Sequence, residues 1–207
     1  MCDSYVTVEK SAISEFVEKK SKFIGYVKPI LTETDALSFI NEIKSKHWDA
    51  RHNVFAYVVR ENNISRYSDD GEPHGTAGVP ILDIIKRNNL QDVVVVVTRY
   101  FGGILLGAGG LVRAYSTAAS MALEAGEIAV FEKFLEYKIV CSYSEYNKLQ
   151  TILSSYNVII DGTEFNSDIT VLFAVPEDIS EKLKLNITEI FAAKLVIEPI
   201  GERFDTK

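Results

Sequence analysis

The chain has little cysteine: Cys2 and Cys141 are the two thiols in 207 residues. One stands beside the start and the other deep in the chain, so no disulfide framework is on offer. That usage fits a reducing cytoplasm. Long apolar runs are lacking as well. No stretch reaches the roughly 18 residues that a membrane-spanning helix needs. The opening MCDSYVTVEK has no basic-then-apolar secretory pattern. The expectation is a cytoplasmic protein with no membrane partner. Positive charge is not in excess either. A net charge of −7 argues against wholesale coating of nucleic acid, and DNA is not an expected partner. The deficit is uneven. Residues 1–130 carry 14 Lys and Arg against 16 Asp and Glu, whereas residues 131–207 carry 8 against 13. A local basic face fits the first part, and a protein contact or solubility fits the second.

Apolar residues are plentiful, at 47% of the chain. A chain of this length buries roughly 70% of its unfolded surface, so its core needs no staple or metal. The densest signal is VVVVVTRYFGGILLGAGGLVRAYS, from Val93 to Ser116. Five consecutive valines suit a strand buried on both faces. Thr98, Arg99 and Tyr100 follow, then the pairs Gly102-Gly103 and Gly109-Gly110. A helical stretch, Leu111 to Ala125, then repeats Leu111, Tyr115, Ala118 and Ala122 on one face. Strand, glycine-rich loop and helix start is an arrangement that aims backbone N–H groups at an anion. Arg99 and Arg113 flank it.

Known nucleotide fingerprints fail here. Gly102 and Gly107 match half of a phosphate loop, but Ala108 and Gly109 stand where Lys and Ser or Thr are needed. Gly107-Ala108-Gly109 begins a dinucleotide pattern, but Val112 takes the third glycine position. Two readings of the glycines stay level: tight turns with close packing, or a phosphate or nucleic-acid contact.

The pattern predicts two domains, 1–131 and 132–207, of α+β class. In the first, Tyr5 to Val8 reads as an edge strand and Phe23 to Ile30 as a strand. Glu33 to Trp48 reads as a helix with Leu37, Phe39, Ile40 and Ile43 inward and a capping start at Thr32 and Asp35. Trp48 and His47 end it as core and rim. Val54 to Val59 and Ile64 to Tyr67 form a hairpin, Asp69 to Gly78 a polar loop and Val79 to Arg87 a short helix. In the second, Phe134 to Cys141 is a strand. Ser144 caps a helix running through Tyr156, with Tyr146, Leu149 and Leu153 on one face. A hairpin joins Val158–Phe165 to Ile169–Val175, Pro176 opens a helix, and Leu195 to Ile200 closes. That order, βαββαβ, is the ferredoxin-like plan.

Four segments resemble one family: Ser21-Lys22-Phe23-Ile24; Ala50-Arg51-His52; Ser68-Asp69-Asp70-Gly71-Glu72-Pro73 with Gly75-Thr76-Ala77-Gly78; and Arg99-Tyr100-Phe101-Gly102-Gly103 through Gly110. Together they are similar to the IMPACT/YigZ family, over residues from about 20 to 126, with the two-domain layout of its bacterial members. The resemblance implies a first domain with the fold of the second domain of a small-subunit ribosomal protein. It implies a second domain like domain V of elongation factor G. Eukaryotic relatives regulate translation through an additional N-terminal domain that has no counterpart here, so their partner does not carry over. The chain departs from the pattern at Asn53 and Val54, where many relatives have His and Cys, and at His74, where a small residue is usual. A family metal site or thiol nucleophile using those groups is therefore not expected.

Asp69, Asp70, Glu72 and His74 could hold Mg²⁺ or Mn²⁺ or run acid–base chemistry. The preferred reading is a turn whose aspartates cap backbone N–H groups. His52 could act as a base or a phosphate contact. Arg99 could be a phosphate fork beside a stacking Tyr100, or a salt bridge to the Asp69–Glu72 loop. Arg113, placed in the first helical turn, sits against the helix dipole. The candidate binding residues are Arg51, His52, Asp69, Asp70, Glu72, Thr76, Arg99, Tyr100, Gly102, Gly103, Gly107, Gly109, Gly110 and Arg113. No catalytic residue, metal ligand or cofactor is assigned. The expected function is a non-catalytic, translation-associated regulator that binds RNA or the ribosome through its first domain. A protein partner for the acidic second domain is the third option. The alternative is a metal- or phosphate-dependent enzyme acting on a small molecule or peptide through the acidic and glycine-rich loops.

Overall fold

The computed structural model describes residues 4–156 and 158–206. The chain divides into two compact units, one of residues 5–130 and one of residue 4 together with the described residues of 131–206. Cys2 lies outside the described residues, and Cys141 is a buried free thiol. Among the described residues no helix is long and apolar enough to cross a membrane.

The first unit contains β1 (Ser4–Val8), β2 (Ala12–Glu18), β3 (Ser21–Pro29), α1 (Glu33–Lys46), β4 (His52–Val59), β5 (Ile64–Ser68), α2 (Gly78–Arg87), β6 (Val93–Tyr100) and α3 (Ala108–Ala125). Its sheet runs β2-β3-β6-β4-β5, with every neighbouring pair antiparallel. The valine run lies on the central strand and is fully buried. Side chains alternate along a strand. Val93, Val95 and Val97 therefore face α2 and α3, while Val94 and Val96 face α1. Helices on both faces explain the unbroken apolar run.

Several expectations needed correction. β2 has no counterpart among the expected elements. α1 stops at Lys46, its buried stripe is Ala36, Phe39, Ile40 and Ile43, and Leu37 is exposed. His47 is buried, but Trp48 is 83% exposed and is no part of the core. The capping box at Thr32 and Asp35 is present. α3 begins at Ala108, so Arg113 stands in its second turn rather than its first.

The second unit runs β7 (Ile128–Cys141), α4 (Tyr143–Ser155), β8 (Ile159–Phe165), β9 (Ile169–Pro176), α5 (Glu177–Ile190) and β10 (Ile197–Asp205). Within it β9 lies between β7 and β8, and β10 also pairs with β7; all three pairings are antiparallel. Tyr137, Ile139 and Cys141 of β7 meet Leu149, Leu153, Leu183 and Ile187 from the helices. The α4 cap is Ser142, not Ser144. Its hydroxyl and the Glu145 carboxylate form a reciprocal box, two residues earlier than the serine pattern suggests.

Candidate functional site

A cavity of about 400 Å³ opens in the first unit where β4 begins, β6 ends and α3 starts. Antiparallel pairing sets His52 directly across from Arg99 and Arg99 across from Phe23. The loop after β5 brings in Glu72, and the glycine loop brings in Phe101, Leu105 and Gly107.

Glu72 is the hub. Its side chain is 4% exposed and that of Arg99 is 6%. Arg99 donates to Glu72 Oε1 at 2.6 Å, and the Tyr115 hydroxyl donates to the same oxygen at 2.8 Å. Burial, then the Glu72 carboxylate, pushes the Tyr115 hydroxyl far above its ordinary pKa, so it stays a donor. The Arg99 guanidinium also lies over the rings of Phe23 and Phe101, 5.4 and 5.6 Å from their centroids. His52 donates Nδ1–H to the Asp70 carbonyl at 2.8 Å, and its Nε2 lies 3.8 Å from Glu72 Oε1. Of the two roles weighed for Arg99, the buried ion pair is the one formed. The guanidinium is no free phosphate fork.

The other carboxylates are also spoken for. Asp69 accepts from the backbone N–H groups of Gly75, Ala77 and Gly78 at 2.8, 3.1 and 2.8 Å, and so caps α2 from outside. Asp70 accepts from Asn53 N at 2.7 Å and from Lys44 Nζ at 2.9 Å. Among the described residues no three His, Cys, Asp or Glu side chains converge on a common point. Thr76 donates to the Pro73 carbonyl at 2.6 Å and shapes the turn. His74 is almost fully exposed, 3.7 Å from Asp69.

Tyr100 is not Arg99's partner at a ligand. Neighbours on a strand point to opposite faces, and Tyr100 packs on the α1 side, where its hydroxyl accepts from His47 Nδ1 at 2.9 Å and donates to Asp49 at 3.0 Å. The glycines divide by their surroundings. A Cβ on Gly102 would lie 1.9 Å from the Lys20 carbonyl carbon, so this glycine allows two backbones to touch. Gly110 packs on Leu106. Gly103, Gly107 and Gly109 face open space. Gly107 precedes α3 at φ +74° without a capping side chain, so the helix opens with bare N–H groups. Arg51 is exposed at the mouth and makes no ion pair or hydrogen bond among the described residues. Arg113 lines a neighbouring hollow with Lys19. Sequence reasoning missed the polar role of Tyr115, which stood out only as an apolar repeat. The available signal was a hydroxyl on an otherwise alanine-rich buried face.

Residues 19–123 match the Impact N-terminal domain model, and residues 139–194 match a domain of unknown function, DUF1949. The chain is 47% identical over 73% of its length to "IMPACT family member YvyE" of Bacillus subtilis (strain 168), covering 69% of that protein. It is 36% identical over 96% of its length to an IMPACT family member of Haemophilus influenzae, covering 98% of it. To "IMPACT family member YigZ" of Escherichia coli (strain K12) it is 34% identical over 76% of its length, covering 79% of that protein. A crystal structure of a hypothetical protein superposes with a TM-score of 0.61 at 27% identity, covering 97% of this chain and 99% of that one.

Proposed function

Because the chain belongs to the IMPACT family, we propose that it is a translation-associated regulator whose first unit binds RNA or the ribosome. One observation carries the reading. The cavity mouth combines an unpaired, exposed Arg51, the uncapped N–H groups that open α3, and an exposed Phe101. A cation, anion-seeking amides and a flat ring are what single-stranded RNA engages. The rest of the layout agrees with it. The sheet order β10-β7-β9-β8 supports a ferredoxin-like second domain of the kind found in elongation factor G. The helix-covered antiparallel sheet supports a ribosomal-protein-like first domain. Asp69 and Asp70 serve internal backbone and lysine partners and Glu72 Oε1 serves Arg99 and Tyr115, which favours this reading over the metal-enzyme alternative.

The test is co-sedimentation with ribosomes across a salt series. Binding falls steeply with salt, and Arg51→Glu weakens it at low salt and flattens the salt slope by about one unit. Salt-insensitive pelleting, or pelleting indifferent to Arg51→Glu, overturns the reading. Arg99→Glu is the poorer probe, because it puts two carboxylates together in the core.

A further inference from the structure

The floor of the cavity carries hydrogen-bonding capacity that a rim contact with phosphates leaves unused. His52 Nε2 and Glu72 Oε1 are two acceptors 3.8 Å apart with no donor between them while the ring is neutral. Glu72 Oε2 accepts no hydrogen bond among the described residues. Arg99, which lines the cavity and is 5% exposed, has a buried Nε with no partner. The polarity is therefore graded. Arg51 and the α3 amides make the mouth attractive to an anion, whereas Glu72 makes the floor attractive to N–H donors. Between them the wall is apolar, with Phe101 44% and Leu105 82% exposed. A plain anion such as phosphate would meet a carboxylate at the floor. A ligand that is anionic at one end, flat in the middle and N–H-bearing at the other meets a partner at each level. The volume of about 400 Å³ lies within the range of small-ligand sites.

We infer that this cavity takes one nucleotide, with its phosphate on Arg51 and the start of α3, its base against Phe101, and an exocyclic amino edge on Glu72 and His52. Guanine suits the floor best, since its N1–H and N2–H donors lie side by side, and uracil, which has no amino group, suits it least. The inference rests on the RNA reading above and names the unit recognised at that site. The shared chemistry is a nucleoside monophosphate, either free or at the end of a strand.

The experiment is calorimetric titration of the full chain with GMP, UMP, inorganic phosphate and a short 5′-phosphorylated oligonucleotide beginning with G. GMP binds, UMP binds about tenfold more weakly, and phosphate binds more weakly still. Phe101→Ala, on the surface, weakens both nucleotides about tenfold. Glu72→Gln narrows the gap between GMP and UMP, provided its circular dichroism shows a folded chain; if it does not, Phe101→Ala and the GMP-to-UMP ratio decide. An oligonucleotide tighter than GMP indicates a strand end, and the reverse order indicates a free nucleotide; either one keeps the inference. No saturation by GMP up to about 5 mM, or equal binding of GMP, UMP and phosphate, overturns it. The two readings fail separately. Salt-sensitive ribosome pelleting without nucleotide binding removes the cavity ligand and keeps the RNA reading. Nucleotide binding without pelleting does the opposite.

Discussion

Arg99 and Glu72 meet with their side chains almost sealed from water, and that burial decides how each can be used. Taking two charges out of water costs more than an exposed pair returns, so such a pair holds only when its remaining valences are met. Here Tyr115 and Ser21 help: the tyrosine donates to Glu72, and Arg99 NH2 reaches Ser21 Oγ at 3.4 Å. Removing one partner strands the other. Glu72→Ala is expected to lower unfolding stability by about 3–5 kcal/mol, and Arg99→Ala to do likewise. The double variant loses clearly less than the sum, as urea unfolding of all four proteins would show. Strict additivity would mean the two charges do not depend on each other. A second buried set makes a pH prediction. Tyr100 gives its proton to Asp49, so it accepts from His47 Nδ1–H, and His47 Nε2 then accepts from the Tyr26 hydroxyl at 2.5 Å. Only a neutral ring can do this. Burial, followed by the charge of Lys46, lowers the His47 pKa, against an opposing pull from Asp49. A depressed histidine means the unfolded chain binds the proton more readily. Its stability contribution is complete above the unfolded value of about 6.5 and is lost as pH falls from there through the folded value. Urea midpoints at pH 7.5 and 5.0 should separate more for wild type than for His47→Gln; equal separations would remove His47 from the account. The chain itself displayed the charges of the first cluster, which is why a salt bridge between Arg99 and the acidic loop was foreseeable. It did not display the hydroxyls of Tyr115 and Tyr100. Apolar periodicity treats a tyrosine as a ring and says nothing of where its oxygen points.

At the scale of elements, the clearest omission is β2. Its sequence, AISEFVE, does alternate, but it is an edge strand with Ile13 and Val17 more than half exposed, and its apolar residues do not mark an inner face. The turn that follows carried no signal either. Lys19 and Lys20 take φ of +44° and +65°, a conformation that hairpins usually assign to Asn-Gly. Left-handed backbone in such residues costs about 1–2 kcal/mol each. Tertiary contact supplies the compensation, since Gly102 brings its bare backbone against Lys20 and donates N–H to Ser21 Oγ at 3.2 Å. Lys20→Gly should therefore raise unfolding stability by about 1 kcal/mol, read from the urea midpoint at constant slope. A fall would show that the lysine side chain contributes more than its backbone loses. The elements that were read correctly, β6 and α3 above all, have one strong period and many buried residues. β2 has neither, and it stands at the sheet edge with β3 as its neighbour.

For the whole molecule, the proposed ribosome contact raises the question of which unit would make it. The order of strands and helices in residues 131–206 was readable, because each element carries its own period and turn residues. The β8–β9 hairpin was readable as well, whereas β10 joins β7 across more than fifty residues, a pairing that no local pattern displays. Charge was readable throughout, and it separates the two parts. Residues 1–130 are close to neutral, and residues 131–207 carry 8 Lys and Arg against 13 Asp and Glu. If the first unit binds phosphates, the acidic second part works against association through long-range repulsion. Replacing the exposed Glu164, Asp168 and Glu189 with their amides should then strengthen ribosome pelleting modestly at low salt. The gain should fade near physiological ionic strength, where the screening length is about 8 Å. Arg51→Glu should move binding the other way in the same assay. If those acids instead form a docking face for a basic ribosomal protein, the triple variant weakens pelleting, and the contact passes to the second unit. The sign of that one change, measured beside Arg51→Glu over the same salt range, assigns the interface.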